Sequence, residues 1–367
     1  MSEANKKPSL ALYGVGFDGK PRRPPPRGVL FDKFVVPPFS VLNARDGYWQ
    51  KRKKLWISMG IRPAAGRVAE GDDQEFGKTY NITNDYIQRK KATEPGGGGG
   101  PNSIMRKIGP KVPKEFGTTG GGFSENIARV HDEDGEVVGT SMFDPVLCEL
   151  IYKWFCLPNG RILDPFAGES TKGIVAEVLG YRYTGVELRQ EQINANRKQA
   201  DAIGVAPNWI QGDSAQLATI LPKRGKYDFV WTSPPYYDLE IYSESEKDGS
   251  VFETYEKFMA WYEDIFAQAV ARLREDSFLA VKVGEIRDRK TGAYRNFVGD
   301  NITCFRRLGL HYYNEIILMT SVASLSVRVT KQFQVSRKIG KSHQNILVFW
   351  KGDLKNIRDV MGPVGVS

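Results

Sequence analysis

Histidine and cysteine are scarce, three of each in 367 residues. Cys148, Cys156 and Cys304 are too few for a disulfide framework, and none belongs to a Cys-x-x-Cys pair, which points to a reducing, cytoplasmic setting. No stretch of about 18 apolar residues exists, which excludes a membrane-spanning helix. The opening residues, MSEANKKPSLALYG, lack the long apolar core and small-residue cleavage site of a secretory signal. Internal repeats are absent apart from runs of glycine. Acidic residues are the minority charge, 43 against 52 Lys and Arg, so the chain carries a formal +9. With 41% hydrophobic and 26% charged residues, the composition is that of a globular protein.

The positive charge is not evenly spread. Residues 1–130 hold 23 Lys and Arg against 12 Asp and Glu, a balance of +11, so the remainder stands at −2. The same 130 residues carry 19 of the 38 glycines and 12 of the 20 prolines. Runs such as Pro24-Pro25-Pro26, Gly96 to Gly100 and Gly120-Gly121-Gly122 disfavour regular structure. This portion reads as a basic arm of short ordered pieces, with the pentaglycine as a linker. One ordered piece is expected near residues 39–61, FSVLNARDGYWQKRKKLWISMGI, where Asp46 can cap a helix carrying Tyr48, Trp49, Lys51 to Lys54 and Trp56. Two readings of that helix stand side by side. Its cations and rings can face a polyanion and its bases, or Trp49, Leu55 and Trp56 can dock on a neighbouring domain while the lysines are solvated.

From about residue 139 short apolar runs alternate with helical patterns. Strands are expected at 161–164, 181–187, 207–211, 227–232, 278–284, 311–319 and 344–350. Helices are expected at 170–180, 189–203, about 252–274 and near 296–308. In the longest helix Tyr255, Phe258, Met259, Tyr262, Ile265, Phe266, Ala269 and Leu273 recur at three- and four-residue steps, marking one apolar face. Such alternation argues an α/β fold with a mostly parallel sheet covered on both sides. The division is then an arm (1–130), a domain (139–352) and a C-terminal tail (353–367).

In an open parallel sheet the ligand sits beyond the carboxyl ends of the strands. Asp164-Pro165-Phe166-Ala167-Gly168, followed by Glu169-Ser170, is a strand running into a tight turn and a helix. There is no Gly-x-Gly-x-x-Gly, and Glu169 would repel a pyrophosphate, so a nucleoside with a zwitterionic tail suits the loop better than a dinucleotide. Glu187, about 20 residues on, ends the next strand and can accept from both hydroxyls of a ribose. Asp213 ends the third strand and can reach an adenine amine or cap the helix that follows. Ser233-Pro234-Pro235-Tyr236 ends the fourth. Prolines cannot donate, so their carbonyls, with the serine oxygen, can accept from an amino group, and Tyr236 offers a ring face.

These motifs, in this order and spacing, resemble the amino-methylating DNA methyltransferases that modify N4 of cytosine or N6 of adenine. The resemblance covers about residues 139–352. It implies a Rossmann-like S-adenosylmethionine-dependent methyltransferase fold with a seven-stranded, mostly parallel sheet whose last strand is antiparallel. Phe143-Asp144-Pro145 looks like the family's motif that holds the methionine part of S-adenosylmethionine. The segment PPFSVLNARDGYWQKRK resembles a stretch preceding such domains in phage-encoded methylases, which places the protein in the cytoplasm of a bacterial or phage-infected cell. One departure stands out: the family's loop usually continues Gly-Ser-Gly, whereas this chain has Gly168-Glu169-Ser170. It motivates a second reading, a DNA-binding relative that has kept the fold and lost catalysis.

The implied chemistry is transfer of a methyl group to an exocyclic amine of a flipped base, its lone pair localised by hydrogen bonds to Ser233 and the Pro234 carbonyl while Tyr236 stacks on the ring. Serine at the first motif position favours cytosine N4, with adenine N6 the alternative. Carbon methylation would need an activated cysteine, and all three cysteines sit in apolar runs as core residues. No metal site is expected: His131-Asp132-Glu133-Asp134-Gly135 reads as a hairpin turn, and His311 and His343 stand alone. The segment 321–342 carries Arg328, Lys331, Arg337, Lys338 and Lys341 with no acidic residue, and reads as a DNA contact or, alternatively, a solvated loop. Arg287, Arg289, Lys290 and Arg295 extend the same side.

Overall fold

The computed structural model describes residues 34–62, 127–131, 137–141, 143–222, 225–237, 252–288, 290–320 and 325–362. In chain order the elements are β1 (Val41–Asn43), α1 (Gly47–Ser58), β2 (Ile127–His131), β3 (Val137–Ser141), α2 (Pro145–Phe155), β4 (Arg161–Asp164), α3 (Thr171–Val178), β5 (Arg182–Glu187), α4 (Gln190–Ile203), β6 (Asn208–Gln211) and α5 (Leu217–Ile220). There follow β7 (Tyr227–Thr232), α6 (Tyr255–Arg272), β8 (Leu273–Val283), α7 (Phe297–Arg307), β9 (His311–Met319), α8 (Leu325–Ser336), β10 (His343–Lys351) and α9 (Ile357–Met361).

Local chemistry sets the ends of these elements. Asp144 caps α2 by accepting from Val146 N at 2.8 Å, and Pro145 fills the first helical position, where no N–H is needed. Thr254 Oγ1 caps α6 by accepting from Lys257 N. Gly204 closes α4 at φ +83°, a left-handed conformation that a side chain would strain.

Eight strands form the main sheet in the order β1-β9-β10-β8-β7-β4-β5-β6. β10 runs antiparallel to both neighbours, and the other pairs are parallel. Taken from β4 outward, this is the expected Rossmann-like methyltransferase sheet. The expectation of seven strands is corrected to eight, because Val41–Asn43 of the basic N-terminal portion pairs with Ile317–Met319 at the sheet edge. Three residues between a diproline and a helix carry too little periodicity to announce a strand.

Two apolar layers cover the sheet. One packs α1 to α4 against one face through Trp49, Trp56, Leu150, Ile151, Ile174 and Ile193, among others. The other packs α5 to α7 through Phe258, Tyr262, Phe266, Phe297 and Phe305. The expected apolar face of α6 is the one buried, with Phe258, Tyr262, Ile265, Phe266 and Ala269 fully enclosed.

Three further differences from the sequence expectation follow. β8 begins at Leu273 and so takes in residues expected at the end of a helix. The segment 321–342, expected as a loop, contains α8. The tail from 353 carries a single 3-10 turn and α9, whose Ile357, Val360 and Met361 pack on the core. β2 and β3 pair antiparallel, while Asp132 to Gly135, expected in a hairpin turn, the glycine and proline runs and Arg289 lie outside the described residues. No helix among the described residues is long and apolar enough to cross a membrane.

Candidate functional site

Sheet order turns at β4: one run of strands goes to β5 and β6, the other returns to β7 and β8. At such a switch point two adjacent strand ends diverge and leave a crevice. Its floor is Asp164, fully buried at the end of β4. Asp164 Oδ1 accepts from Thr232 Oγ1 of β7 at 2.6 Å and from Phe166 N at 3.2 Å. Its Oδ2 accepts from Tyr183 Oη at 2.7 Å and pairs with Lys172 Nζ at 2.6 Å. Burial first, and Asp164 second, push the Tyr183 hydroxyl well above its ordinary value, so it stays a donor. All four acceptor directions of Asp164 are thus used inside the protein. Its role is to fasten β4, β5, β7 and the following loop together.

The loop after β4 folds around Gly168, at φ +57°. Gly168 N donates to Glu187 Oε2 at 3.0 Å, and Gly168 O accepts from Asn196 Nδ2 at 2.8 Å. Ala167 N donates to Val186 O, and Lys172 Nζ to Phe166 O. Ser214 Oγ donates to the Pro165 carbonyl. Glu187 Oε1 also accepts from Arg189 N at 3.0 Å, yet its side chain stays partly exposed at the mouth, with acceptor directions left over for a diol. Glu169, the departure from the expected Gly-Ser-Gly, turns into the protein. It is 2% exposed, and its Oε2 accepts from Thr171 N and Thr171 Oγ1 at the start of α3. Its charge therefore serves the helix terminus rather than the crevice.

Asp213 Oδ1 accepts from Ala215 N at 2.9 Å, the capping alternative for that residue, and Asp213 stays half-buried at the end of β6. Phe143 and Asp144 stand at the entry to α2. The Phe143 ring meets Trp231 of β7 edge-on at 5.5 Å, and the ammonium groups of Lys282 and Lys172 lie 4.4 and 5.2 Å from its centre. Loop, strand ends and the Phe143 corner therefore converge on one crevice.

Across the crevice, Ser233 to Tyr236 leave the end of β7. Ser233 Oγ donates to the Lys282 carbonyl of β8 at 3.2 Å, which keeps its lone pairs as acceptors. Pro234 is buried and Pro235 half-buried. The Tyr236 ring is 9% exposed and tilts against Phe297 at 5.8 Å. Behind it, Tyr237 packs on Tyr255 and Phe258, with the Arg295 guanidinium 4.9 Å from its ring.

The basic residues divide. A Cβ on Gly284 would lie 3.6 Å from both Tyr236 Oη and Lys341 Nζ, so both groups border Gly284. Burial holds the Lys341 ammonium below its ordinary value, with Glu285 pulling the other way. Lys338 Nζ lies against Gly292, and Arg337 is exposed with its guanidinium 5.2 Å from the Phe333 ring. Only the backbone of Arg328 and Lys331 is described. Arg287 stacks on exposed Tyr294 at 3.9 Å, and Arg295 pairs with Asp288 at 2.6 Å. Sequence reasoning missed Lys172, Tyr183, Thr232 and Lys282. Thr232 and Lys282 carried a signal in their position at strand ends next to the motifs, whereas Lys172 on α3 and Tyr183 early in β5 carried none.

All three cysteines are buried, and burial pushes their thiols up, Cys304 to about 12, so none supplies a thiolate near neutral pH. Among the described residues no group of three or more His, Cys, Asp or Glu is placed to hold a metal.

No protein-family model matches the chain. A stretch of 83 residues is 34% identical to the type II methyltransferase M.HinfI of Haemophilus influenzae, and the match spans 23% of the length of each protein. Among solved structures, TrmN from Thermus thermophilus is 17% identical with a TM-score of 0.38, over 57% of this chain and 49% of that one. The magnesium protoporphyrin IX methyltransferase of Synechocystis PCC 6803, solved with bound SAM, is 14% identical with a TM-score of 0.36, over 57% and 79%. At these identities and TM-scores the fold assignment rests on the sheet order itself.

Proposed function

We propose that this chain is a methyltransferase that uses S-adenosylmethionine to methylate an exocyclic amine of a DNA base, with cytosine N4 preferred. The observation that carries the reading is Ser233: its hydroxyl proton is committed to the Lys282 carbonyl, leaving acceptor lone pairs at the crevice beside Pro234. The local identity to a type II methyltransferase supports it.

Residues on the cofactor side fit the group by their chemistry. Glu187 suits a ribose diol, Asp213 an adenine amine, and the Phe143 corner the methionine end, while the Asp164 network fixes the loop between them. When bound, the cofactor supplies an electrophilic methyl on a sulfonium. The chain's own residues prepare the acceptor. An aromatic amine is a poor nucleophile because its lone pair is delocalised into the ring. Accepting both N–H bonds at Ser233 Oγ and the Pro234 carbonyl returns that lone pair to nitrogen. A duplex base must leave the stack to arrive there, and Tyr236 supplies a ring for it to stack on. Lys341, Lys338 and Arg337 supply cations for the phosphates of such a strand in this reading.

Co-expression with DNA, followed by digestion and mass spectrometry of the nucleosides, tests this reading. N4-methylcytosine is the expected product, and N6-methyladenine selects the alternative base. Finding neither, with DNA binding intact, selects the catalytically silent relative.

A further inference from the structure

We propose that residues 41–62 are a clamp on the cofactor site, with Trp49 and Lys53 acting as positioning residues for Asp144. This rests on reading Phe143–Asp144 and the loop after β4 as that site. The clamp starts at the sheet edge, where Ile317 N donates to Ser40 O and Ala44 N to Met319 O, on either side of β1. It continues in α1, which is not the solvated basic helix its composition allows. Trp49 is fully enclosed and Trp56 is 5% exposed, whereas Leu55 remains exposed.

Four polar groups of α1 are aimed at two buried carboxylates, Asp144 at the cap of α2 and Glu149 within it. Trp49 Nε1 donates to Asp144 Oδ2 at 3.1 Å, and Lys53 Nζ lies 3.4 Å from the same oxygen. Arg52 and Trp56 Nε1 bind Glu149 instead. Asp144 Oδ1 is the cap of α2, and its neighbour Phe143 is buried edge-on against Trp231 of β7. With Trp49 and Lys53 removed, a buried carboxylate loses its cation and its N–H. It then turns toward water, which releases the Val146 amide and moves Phe143.

The far end of the segment touches the other half of the site. Gln199 Oε1 accepts from Arg62 N at 2.9 Å and from Ser170 Oγ at 2.7 Å, while its Nε2 donates to Arg62 O at 2.9 Å. Ser170 ends the loop that starts at Asp164. One segment therefore grips the site at Asp144 and at Ser170, about 25 residues apart in sequence.

Glu149 supplies the control, because Trp56 makes the same kind of bond to a carboxylate that touches no cofactor residue. The test measures S-adenosylmethionine affinity by calorimetry, thermal midpoint, and amide exchange at Val146 and Thr171 for W49F, K53M and W56F in the full chain. W49F and K53M are expected to weaken binding about tenfold, the order of one charged hydrogen bond. W56F is expected to lower the midpoint comparably and leave affinity within about twofold. A loss of affinity that follows the midpoint across all three variants overturns the clamp. If the wild type binds no S-adenosylmethionine, the cofactor reading fails, and exchange alone decides. Faster exchange at Val146 in W49F and K53M than in W56F upholds the positioning of Asp144, and equal exchange overturns it.

Discussion

The two walls of the crevice are built from different materials. The wall from β4 to β6 is a closed polar network, in which Asp164, Glu169 and Glu187 hold backbone amides and Lys172 with short, defined bonds. The wall that follows β7 is aromatic: Tyr236 and Tyr237 meet Tyr255 and Phe258 of α6 and Phe297 of α7 at 5.6 to 6.3 Å, and its polar ties sit at the ring edges, where Tyr237 Oη donates to Glu253 O and Tyr255 Oη to Asp300 Oδ2. Hydrogen bonds to buried charges have narrow geometry, so the first wall presents one shape to its ligand. Ring contacts tolerate tilts and slides at small cost, which suits a wall that must admit a base from outside. A fixed cofactor seat facing an adaptable target seat is the division of labour that the proposed reaction needs.

The largest effect should come from breaking the polar wall at its centre. Asp164→Asn leaves Lys172 buried without its counter-charge and should lower unfolding free energy by about 3–5 kcal/mol, read by denaturant titration. A loss under about 1 kcal/mol would remove Asp164 as the fastening point. On the other wall, Ser233→Ala should slow methylation by about 100-fold while S-adenosylmethionine affinity and thermal midpoint hardly move. Equal loss of cofactor binding would show that the two walls are not separate seats. Glu187→Gln, at the mouth of the polar wall, should weaken S-adenosylmethionine about tenfold in a calorimetric titration and affect turnover at saturating cofactor less.

The smallest effect concerns Lys341, where the walls meet the basic segment. Lys341→Met should weaken DNA binding modestly and reduce the slope of log affinity against log salt by about one. Its folded pKa lies below the unfolded value because of burial. The charged lysine therefore burdens the fold at neutral pH, and this burden lifts as pH rises through the lowered folded value toward about 10.4. Wild type should accordingly gain stability relative to Lys341→Met across that alkaline window. A difference that stays flat with pH would contradict the burial argument.

Much of the skeleton of both walls was legible in the sequence. Strands such as RILD and YDFVWT are apolar runs ended by their motif residues, and the loop and Ser233-Pro234-Pro235-Tyr236 fall at the carboxyl ends where a switch point needs them. What escaped depends on partners far apart in the chain. Asp164 reads as a ligand until Lys172, Tyr183 and Thr232 are seen to use its oxygens. The helix at 47–58 admitted two readings because its carboxylate partners lie 91 to 97 residues away, and burial of Trp49 and Trp56 decides for docking. β1 was invisible because edge pairing with β9, not its own three residues, makes it a strand. The basic excess of the first 130 residues is thereby divided, since Arg52 and Lys53 are bound to the buried carboxylates of Glu149 and Asp144.

Incubating the purified chain with methyl-labelled S-adenosylmethionine and DNA, then resolving the nucleosides, tests the central claim most directly. Label on the exocyclic amine of cytosine, lost in Ser233→Ala, is the predicted result. Label on a ring carbon, on RNA alone, or undiminished in Ser233→Ala would contradict it.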